Sequence, residues 1–439
     1  MRGGESMYNV IKLSNGLRVV IEKIDYVKSV SVGLWVENGS RNENDVNNGI
    51  SHFIEHMLFK GTKKRSAKEL AEVIEDVGGQ INAFTGKEAT CFYIKALDTH
   101  LELSLEVLAD MLFNSCFNEE DIEKEKGVVI EEINMGEDTP EDVVSELHSA
   151  VAWGKDTLAL PILGTEATVR SFTREEIVNY INSYYIPENS VVSICGNVNI
   201  DNVEALVEKY FGQWEAQNRK ITKYSTPEIQ RGSIYKTKKI EQLHISLGIK
   251  GIPLGDDDIY ALSLLNNVLG GGVSSLLFQK VREEYGFCYT IYSYIASFNN
   301  TGVINIYTGL NSKYASDALK LIMAEIDSFV KKGISDERLY KSKEQIKGGL
   351  VLGLESTSSK MFNNGKNMLF LNKINTPDEI IKKIDLINQQ KLREVLNSTF
   401  GNGILNSAFV GNKIEIDNFK EILQQDGVAF RQTSSKKML

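Results

Sequence analysis

The sequence predicts an α+β fold built from two related domains. At 439 residues the chain is too long for one ordinary hydrophobic core. Segments with strand patterns and segments with helix patterns alternate irregularly along it, which is typical of mixed architectures. Three short stretches of the first half also recur, in the same order, in the second half. Together these observations favour two domains of similar design, each combining helices with a sheet.

The first half contains the clearest elements. Residues 17–22 and 29–36 are rich in Val and flank a polar turn, which predicts two strands. Residues 49–59 predict a helix that Gly61 can end. The remaining elements expected in the first half are a helix opened by the capping box Ser66-Ala67-Lys68-Glu69, strands over 82–85 and 90–96, helices over 101–113 and 121–135, and a strand over 191–195.

The internal repeat defines the predicted domains. Residues 117–126 are echoed by residues 334–343, 217 positions later, and residues 192–197 by residues 408–412. Phe59 in Met-Leu-Phe-Lys has a counterpart in Phe278 in Leu-Leu-Phe-Gln. The echoes predict one domain over 1–217 and a second over 218–439, joined by the polar stretch 215–225. The alternative is two unrelated α+β domains with chance echoes.

Composition restricts the class of protein. The net charge of −10 argues against a general nucleic-acid or membrane-surface role. No apolar run approaches the roughly 20 residues of a membrane span, and the first residues lack the apolar stretch of a secretory signal. Met7 is a candidate for the first residue of the native protein, in which case residues 1–6 do not belong to the native protein. The four cysteines, Cys91, Cys116, Cys195 and Cys288, are scattered without a Cys-x-x-Cys pair, which favours free thiols and a cytoplasmic location.

The strongest chemical signal is a pair of histidines four residues apart. His52 and His56 stand in His-Phe-Ile-Glu-His, and residues i and i+4 share one face of a helix. Zinc prefers nitrogen and carboxylate ligands in a tetrahedron, and a catalytic site leaves the fourth position to water. Glu55, at the rim of the same face, is a plausible base for that water. The pattern is that of the inverted zinc-protease motif.

A third ligand is expected from the acidic helix over 121–135. Glu125 and Glu132 are seven residues apart, about two helical turns, so they share a face. Glu131 lies about 100° away from Glu132 around the helix. Two carboxylates on one face suit a ligand and an outer partner that orients a histidine. Taken alone, such an acidic helix is more often a solvated surface with ordinary ion pairs, here to Lys124 and Lys126.

These stretches resemble the pitrilysin/insulinase metallopeptidases, in particular the short members similar to mitochondrial processing peptidase. Gly39-Ser-Arg followed by residues 49–62 is the signature stretch of that family nearly in full. The resemblance covers the whole chain. It implies a Zn²⁺-dependent metalloendopeptidase with Glu132 as the third ligand and Glu125 as its supporting glutamate. It also implies that the two domains form one half of a clamshell chamber, in which Glu55 activates the water that attacks a peptide bond.

The resemblance further implies residues that contact the substrate. Asn82 and Ala83 lie in a stretch similar to the edge strand on which family members bind peptides as an added strand, although it can also be a plain strand of the sheet. Arg282 and Tyr289 follow the Gly270–Gly272 run and match a pair that reaches over the substrate near the zinc. The alternative is a helix start, with Arg282 in a surface ion pair and Tyr289 in the core.

The resemblance also predicts assembly. The chain supplies only half of such a chamber, so we expect a homodimer, or a heterodimer with a related chain, that binds peptide substrates. Two other classes stay open from the residues alone: a non-catalytic partner subunit of the same fold, and a zinc hydrolase of other substrates. His244 is either a structural strand residue or faces the substrate, and His100 and His148 have no assigned role.

Overall fold

The computed structural model describes residues 8–217, 224–412, 414–423 and 430–433. The chain forms two compact units. The first consists of residues 8–133, 160–217 and 351–376, and the second of residues 134–159, 224–350 and the described residues from 377 onward. The candidate start at Met7 and the centre of the predicted link, residues 218–223, lie outside the described residues.

The first unit is built on a six-stranded mixed sheet. Strand β2 runs parallel to β6, and the other neighbours are antiparallel, in the order β1-β2-β6-β3-β5-β4. Its strands are β1 (Tyr8–Lys12), β2 (Arg18–Lys23), β3 (Ser29–Val36), β4 (Gln80–Thr85), β5 (Thr90–Leu97) and β6 (Ser190–Gly196). Its helices are α1 (Ile50–Leu58), α2 (Ala67–Glu75), α3 (Leu101–Asn114), most of α4 (Glu119–Asp138), α6 (Glu166–Ser171), α7 (Arg174–Tyr184), α8 (Ile200–Phe211) and α12 (Thr357–Leu371), numbered along the whole chain.

The second unit repeats this plan. Strand β7 runs parallel to β11, and the order is β12-β7-β11-β8-β10-β9. Its strands are β7 (Gly232–Thr237), β8 (Gln242–Lys250), β9 (Cys288–Ser297), β10 (Gly302–Asn311), β11 (Asn406–Gly411) and β12 (Phe430–Thr433). Its helices are α5 (Pro140–Trp153), α9 (Ile259–Gly270), a π-helical segment (Phe278–Glu284), α10 (Ala315–Lys332), most of α11 (Asp336–Gly353), α13 (Pro377–Leu386), α14 (Gln389–Thr399) and α15 (Ile416–Ile422).

The prediction of two related α+β layers is confirmed. In both sheets a parallel pair is followed by three successive antiparallel neighbours. The echoed stretches also fall on corresponding elements, because α4 begins at Glu119 and α11 begins at Asp336, 217 positions later. Strands β1 and β12 break the correspondence, since β1 is antiparallel to its neighbour and β12 is parallel.

Local signals located most elements well. Strand β3 has the predicted bounds, and the capping box of α2 is present, with the Ser66 backbone N–H donating to Glu69 Oε2 at 2.8 Å. Helix α4 is longer than the predicted 121–135. Its first turn contains Glu119, Glu120 and Asp121, and acidic side chains there stabilise the positive end of the helix dipole.

Both sheets are covered by a helix from the other half of the sequence. Helix α12 packs on β3 and β6 in the first unit, and α5 packs on β8 and β11 in the second. The approach of α12 is so close that a Cβ on Gly365 would lie 2.1 Å from Trp35 Nε1, which only glycine allows. Asn364 Nδ2 donates to the buried Glu22 at 2.7 Å and fixes the helix along the sheet. Strand β3 therefore lies between two layers, which explains why seven of its eight residues are buried.

Within the described ranges, no helix combines the length and the hydropathy that a membrane span requires.

Candidate metal site

Helix α1 presents both histidines to one point. Its apolar residues Ile50, Phe53, Ile54 and Met57 are fully buried in the core of the first unit, and each such side chain contributes about 1.5–3 kcal/mol. This packing turns the apolar face of the helix toward the core. His52 and His56 consequently lie one turn apart, with ring centroids separated by 4.6 Å.

Three donor atoms converge beside α1. Glu132 Oε2, from α4, lies 3.7 Å from His52 Nε2 and 3.4 Å from His56 Nε2. All three ligand atoms lie within 4.8 Å of one another, and among the described residues this is the one group of three or more such side chains that could hold a metal ion. Two imidazole nitrogens and one carboxylate oxygen are the ligand set of a catalytic zinc site.

The other nitrogen of His56 is held by Glu125. His56 Nδ1 lies 2.7 Å from Glu125 Oε1, and Lys60 Nζ lies 2.5 Å from Glu125 Oε2. With Nδ1 donating to the carboxylate, Nε2 keeps its lone pair for a metal. Glu125 is therefore placed to orient His56, and both of its carboxylate oxygens are already bonded. Glu131, which is exposed, takes no part in this cluster.

The ionisation of these groups suits a metal site. Burial, with the neighbouring His56, lowers the pKa of His52 to about 4, so this imidazole is neutral at pH 7. For His56, burial opposes the charged form, but the hydrogen bond and charge of Glu125 outweigh it and raise the pKa. Burial would raise the pKa of Glu125, but the bonds from His56 and Lys60 outweigh it and lower the pKa. The anionic Glu125 thus strengthens His56 as a donor.

The surroundings of His52 show whether a metal ion fits between the three donor atoms. Its Nε2 faces Glu132, while its Nδ1 is buried and has no hydrogen-bond partner in the described part of the chain. No hydrogen bond at Nδ1 turns the His52 ring in another direction. The residue is 6% exposed, so its buried surroundings fix the orientation of the ring. Two converging Nε2 atoms and a carboxylate oxygen offer a divalent cation three donors. The residues fit zinc.

Glu55 lies on the same helix as the two histidines and is held by a strand. Its Oε2 accepts a hydrogen bond from Thr85 Oγ1 at 2.5 Å, and Thr85 is the last residue of β4. Burial raises the pKa of Glu55, and the bond from Thr85 opposes this rise. Neither Thr85 nor Lys60 was identified from the sequence. The available signal for Thr85 was its place at the end of a predicted strand whose alternate residues face α1.

The residues expected to bind substrate lie at an edge. Strand β4 is the outermost strand of the first sheet as described, and it pairs with β5, placing Asn82 opposite Tyr93 and Ala83 opposite Phe92. Asn82 is exposed and Ala83 half-buried. Thr85 ends the same strand, so the edge and the Glu55 carboxylate are directly linked.

Arg282 and Tyr289 lie together in the second unit. The Arg282 guanidinium carbon is 5.2 Å from the centre of the Tyr289 ring and 4.5 Å from that of Phe278. Arg282 also pairs with Glu283, with Nη1 to Oε1 at 3.5 Å. Tyr289 is 77% exposed, so the alternative that places it in the core is wrong. Its contact with substrate stays a prediction.

The other functional candidates are satisfied within the fold. His244 Nδ1 lies 2.9 Å from Tyr307 Oη, and His148 Nε2 lies 2.6 Å from Asn406 Oδ1. The hydrogen bonds favour structural roles for both. All four cysteines are free, and three of them are buried.

Two family models match the chain. Residues 18–166 match "Insulinase (Peptidase family M16)", and residues 171–346 match "Peptidase M16 inactive domain". The first match contains the histidine pair, Glu55, Glu125 and Glu132. The second contains Arg282 and Tyr289.

Individual proteins agree with the family models. An "uncharacterized zinc protease" of Bacillus subtilis is 45% identical, with 88% of this chain and 94% of that protein covered. Another of Streptomyces coelicolor is 37% identical, with coverage of 89% and 86%. The crystal structure of a protease from Helicobacter pylori shares the fold, with a TM-score of 0.86, 24% identity and coverage of 92% of this chain and 99% of that one. The chain therefore belongs to the insulinase family of peptidases, family M16.

Proposed function

We propose that this zinc metallopeptidase is an endopeptidase that cuts extended peptide segments, with His52, His56 and Glu132 holding Zn²⁺ and Glu55 as general base. The observation that supports this most strongly is the convergence of two Nε2 atoms and one carboxylate oxygen within 4.8 Å. Glu55 emerges from the same helix between the two histidines, so the base and two of the three ligands are placed by a single rigid element.

The chain's own groups supply the proton transfer. Zinc, when bound, acts as a Lewis acid that polarises a carbonyl and lowers the pKa of water to about 7. The Glu55 carboxylate takes the proton of the attacking water and returns it to the leaving amine, as a general base and then acid. Thr85 occupies Glu55 Oε2 and thereby orients the carboxylate for this transfer.

Strand β4 offers the substrate a place to bind. An extended peptide that adds to the edge beside Asn82 and Ala83 forms backbone hydrogen bonds, which tolerate many side chains. Because Thr85 closes this strand and bonds Glu55, a peptide bound along β4 runs toward the base. The proposed specificity is therefore for extended conformation and only weakly for sequence.

The complete enzyme is proposed to be a dimer enclosing a chamber. Arg282 and Tyr289 of one chain then act over the zinc of the other, where a tyrosine hydroxyl can stabilise the developing oxyanion. The exposure of Tyr289 (77%) supports a role outside its own core. The cytoplasm stays the predicted location, which the four free thiols support.

The test combines metal content with cleavage. The purified protein should contain about one zinc per chain by atomic emission and should cleave internally quenched peptides. Chelation should abolish cleavage and added zinc should restore it. A fully zinc-loaded protein that cleaves no member of a diverse peptide library would contradict the proposal and favour a non-catalytic subunit.

A further inference from the structure

The N-terminus of the metal-binding helix is capped from a distance. Helix starts leave backbone N–H groups unpaired, and a side chain of Ser, Thr, Asp or Asn at the N-cap normally accepts from them. The N-cap of α1 is Gly49, with φ of +94° and no side chain. A Cβ at this position would lie 2.6 Å from the Leu163 carbonyl oxygen and 2.8 Å from Gly164 Cα. None of the usual capping residues fits there.

Glu43 supplies the missing acceptor from six residues upstream. Its Oε2 accepts from the Gly49 N–H at 2.7 Å, and its Oε1 accepts from the Ser51 N–H at 2.8 Å. Asn48 Nδ2 also donates to Oε2 at 2.9 Å and to the Pro161 carbonyl at 2.8 Å. Glu43 is 3% exposed, so a full carboxylate is buried at the start of this one helix. Its negative charge also suits the positive end of the helix dipole.

We propose that Glu43 is a positioning residue of the metal site, which sets the direction and rotation of α1. Ser51, one of its two backbone donors, directly precedes the ligand His52. A metal site tolerates deviations of only about 0.2 Å in ligand distance, so a small rotation of α1 separates the two Nε2 atoms from Glu132. This inference rests on the proposed zinc ligands.

The decisive variant is Glu43→Gln, because it keeps the shape of the side chain. An amide nitrogen cannot accept a hydrogen bond, so at least one of the Gly49 and Ser51 N–H groups loses its partner. The affinity for zinc, measured by competition with a chromophoric chelator, should fall about 10–100-fold, as for other outer partners of metal ligands. Glu43 touches no ligand side chain, so this loss has to pass through the helix.

Ser66→Ala is the matched control. Ser66 caps α2 in the same unit through Glu69, away from the three metal donors. Its loss should lower the unfolding midpoint by about 2–4 °C and leave zinc affinity within twofold of the parent. This outcome would separate a general loss of stability from a loss of zinc affinity.

Two further variants make the result decisive. Asn48→Ala removes one donor to Glu43 and leaves the carboxylate, so it should weaken zinc binding by a smaller factor. If Glu43→Gln does not fold, Asn48→Ala still tests the inference. Zinc affinity within twofold of the parent in every folded variant at these two positions would overturn the inference. His52→Ala tests the site itself: unchanged zinc affinity there would reject the proposed ligands, a failure distinct from that of Glu43.

Discussion

Glu55 and Glu132 are both glutamates beside the same two imidazoles, yet their surroundings differ. Glu132 directs one oxygen at both Nε2 atoms, at 3.7 and 3.4 Å. Glu55 directs an oxygen at Thr85 instead. These different surroundings fit the two proposed roles, with Glu132 from α4 as a ligand and Glu55 from α1 as the base.

The substitution Glu55→Gln should keep zinc bound and abolish peptide hydrolysis. The amide preserves the bond from Thr85 but cannot take a proton, so the rate should fall by at least the 10²–10⁴-fold that a general base typically contributes. Steady-state cleavage and zinc content of the same sample measure both effects. Activity within a few-fold of the parent would exclude Glu55 as the base.

The substitution Glu132→Gln should weaken zinc binding strongly, while Glu131→Gln should be nearly silent. The two residues are neighbours in sequence, but only Glu132 faces the histidines. Glu125→Gln should fall between them, since it loses the charge that orients His56, and outer partners typically change affinity about 10–100-fold. Chelator competition on the three variants measures this. Equal losses at 131 and 132 would show that the assigned face of α4 is wrong.

The sequence alone was sufficient to propose the ligands and the supporting Glu125, but not Thr85 or Lys60. His52, Glu55 and His56 form a local pattern, and helical spacing relates Glu125 to Glu132. Thr85 lies 30 residues from Glu55. Its contact depends on how β4 packs beside α1, which no local pattern encodes. The Lys60–Glu125 bond depends in the same way on the packing of α4 against the end of α1.

At the scale of elements, strands and helices followed from local signals, whereas their partners did not. The Val-rich segment 29–36 predicted strand β3, and the capping box predicted the start of α2. An amphipathic pattern can show that one face of a helix such as α12 is buried, but it does not show which sheet packs against that face. The contact with β3 requires Gly365 opposite Trp35, a fit of shapes between residues far apart in sequence.

The joint between α5 and the second sheet should respond to pH through His148. Burial lowers the pKa of this imidazole to about 4, although the bond to Asn406 opposes the shift. The unfolded chain takes up the proton near pH 6.5. The contribution of His148 to the free energy of unfolding at pH 7 is therefore lost as the pH falls from 6.5 toward 4. Between pH 7 and pH 5 the loss from this group should be about 2 kcal/mol.

Urea unfolding at both pH values measures this contribution. In His148→Gln the difference in the free energy of unfolding between pH 7 and pH 5 should be smaller than in the parent by about 2 kcal/mol. The reason is that no buried imidazole remains to be protonated. His100→Gln, at a partly exposed position, is the control and should keep the parent's difference. An unchanged difference in His148→Gln would refute the explanation.

At the scale of the whole molecule, the proposed dimer makes a quantitative prediction. His52→Ala breaks the metal site and leaves Arg282, whereas Arg282→Ala does the reverse, and each variant alone should be nearly inactive. If Arg282 acts on the partner's zinc, a mixed dimer contains one complete site. Equal mixing with free exchange gives mixed dimers in about half of the population, so about a quarter of the parent activity per chain should return.

Peptide cleavage after mixing is the measurement, and exchange has to be shown separately with differently tagged chains. The double variant His52→Ala/Arg282→Ala mixed with parent chains is the control, because it creates no new complete site. No recovery in the single-variant mixture, despite demonstrated exchange, would place Arg282 within its own chain and leave the zinc assignment untouched.

The helix that covers the first sheet has a consequence for the order of synthesis. Trp35 and the outer face of β3 and β6 are covered by α12, whose last residue is Leu371. All strands of that sheet, however, have been made once residue 196 has been added. At about 5–20 residues per second, the face waits roughly 10–35 s for its cover. During this interval a growing chain exposes the Trp35 face of its first sheet, so the first unit is completed only late in synthesis.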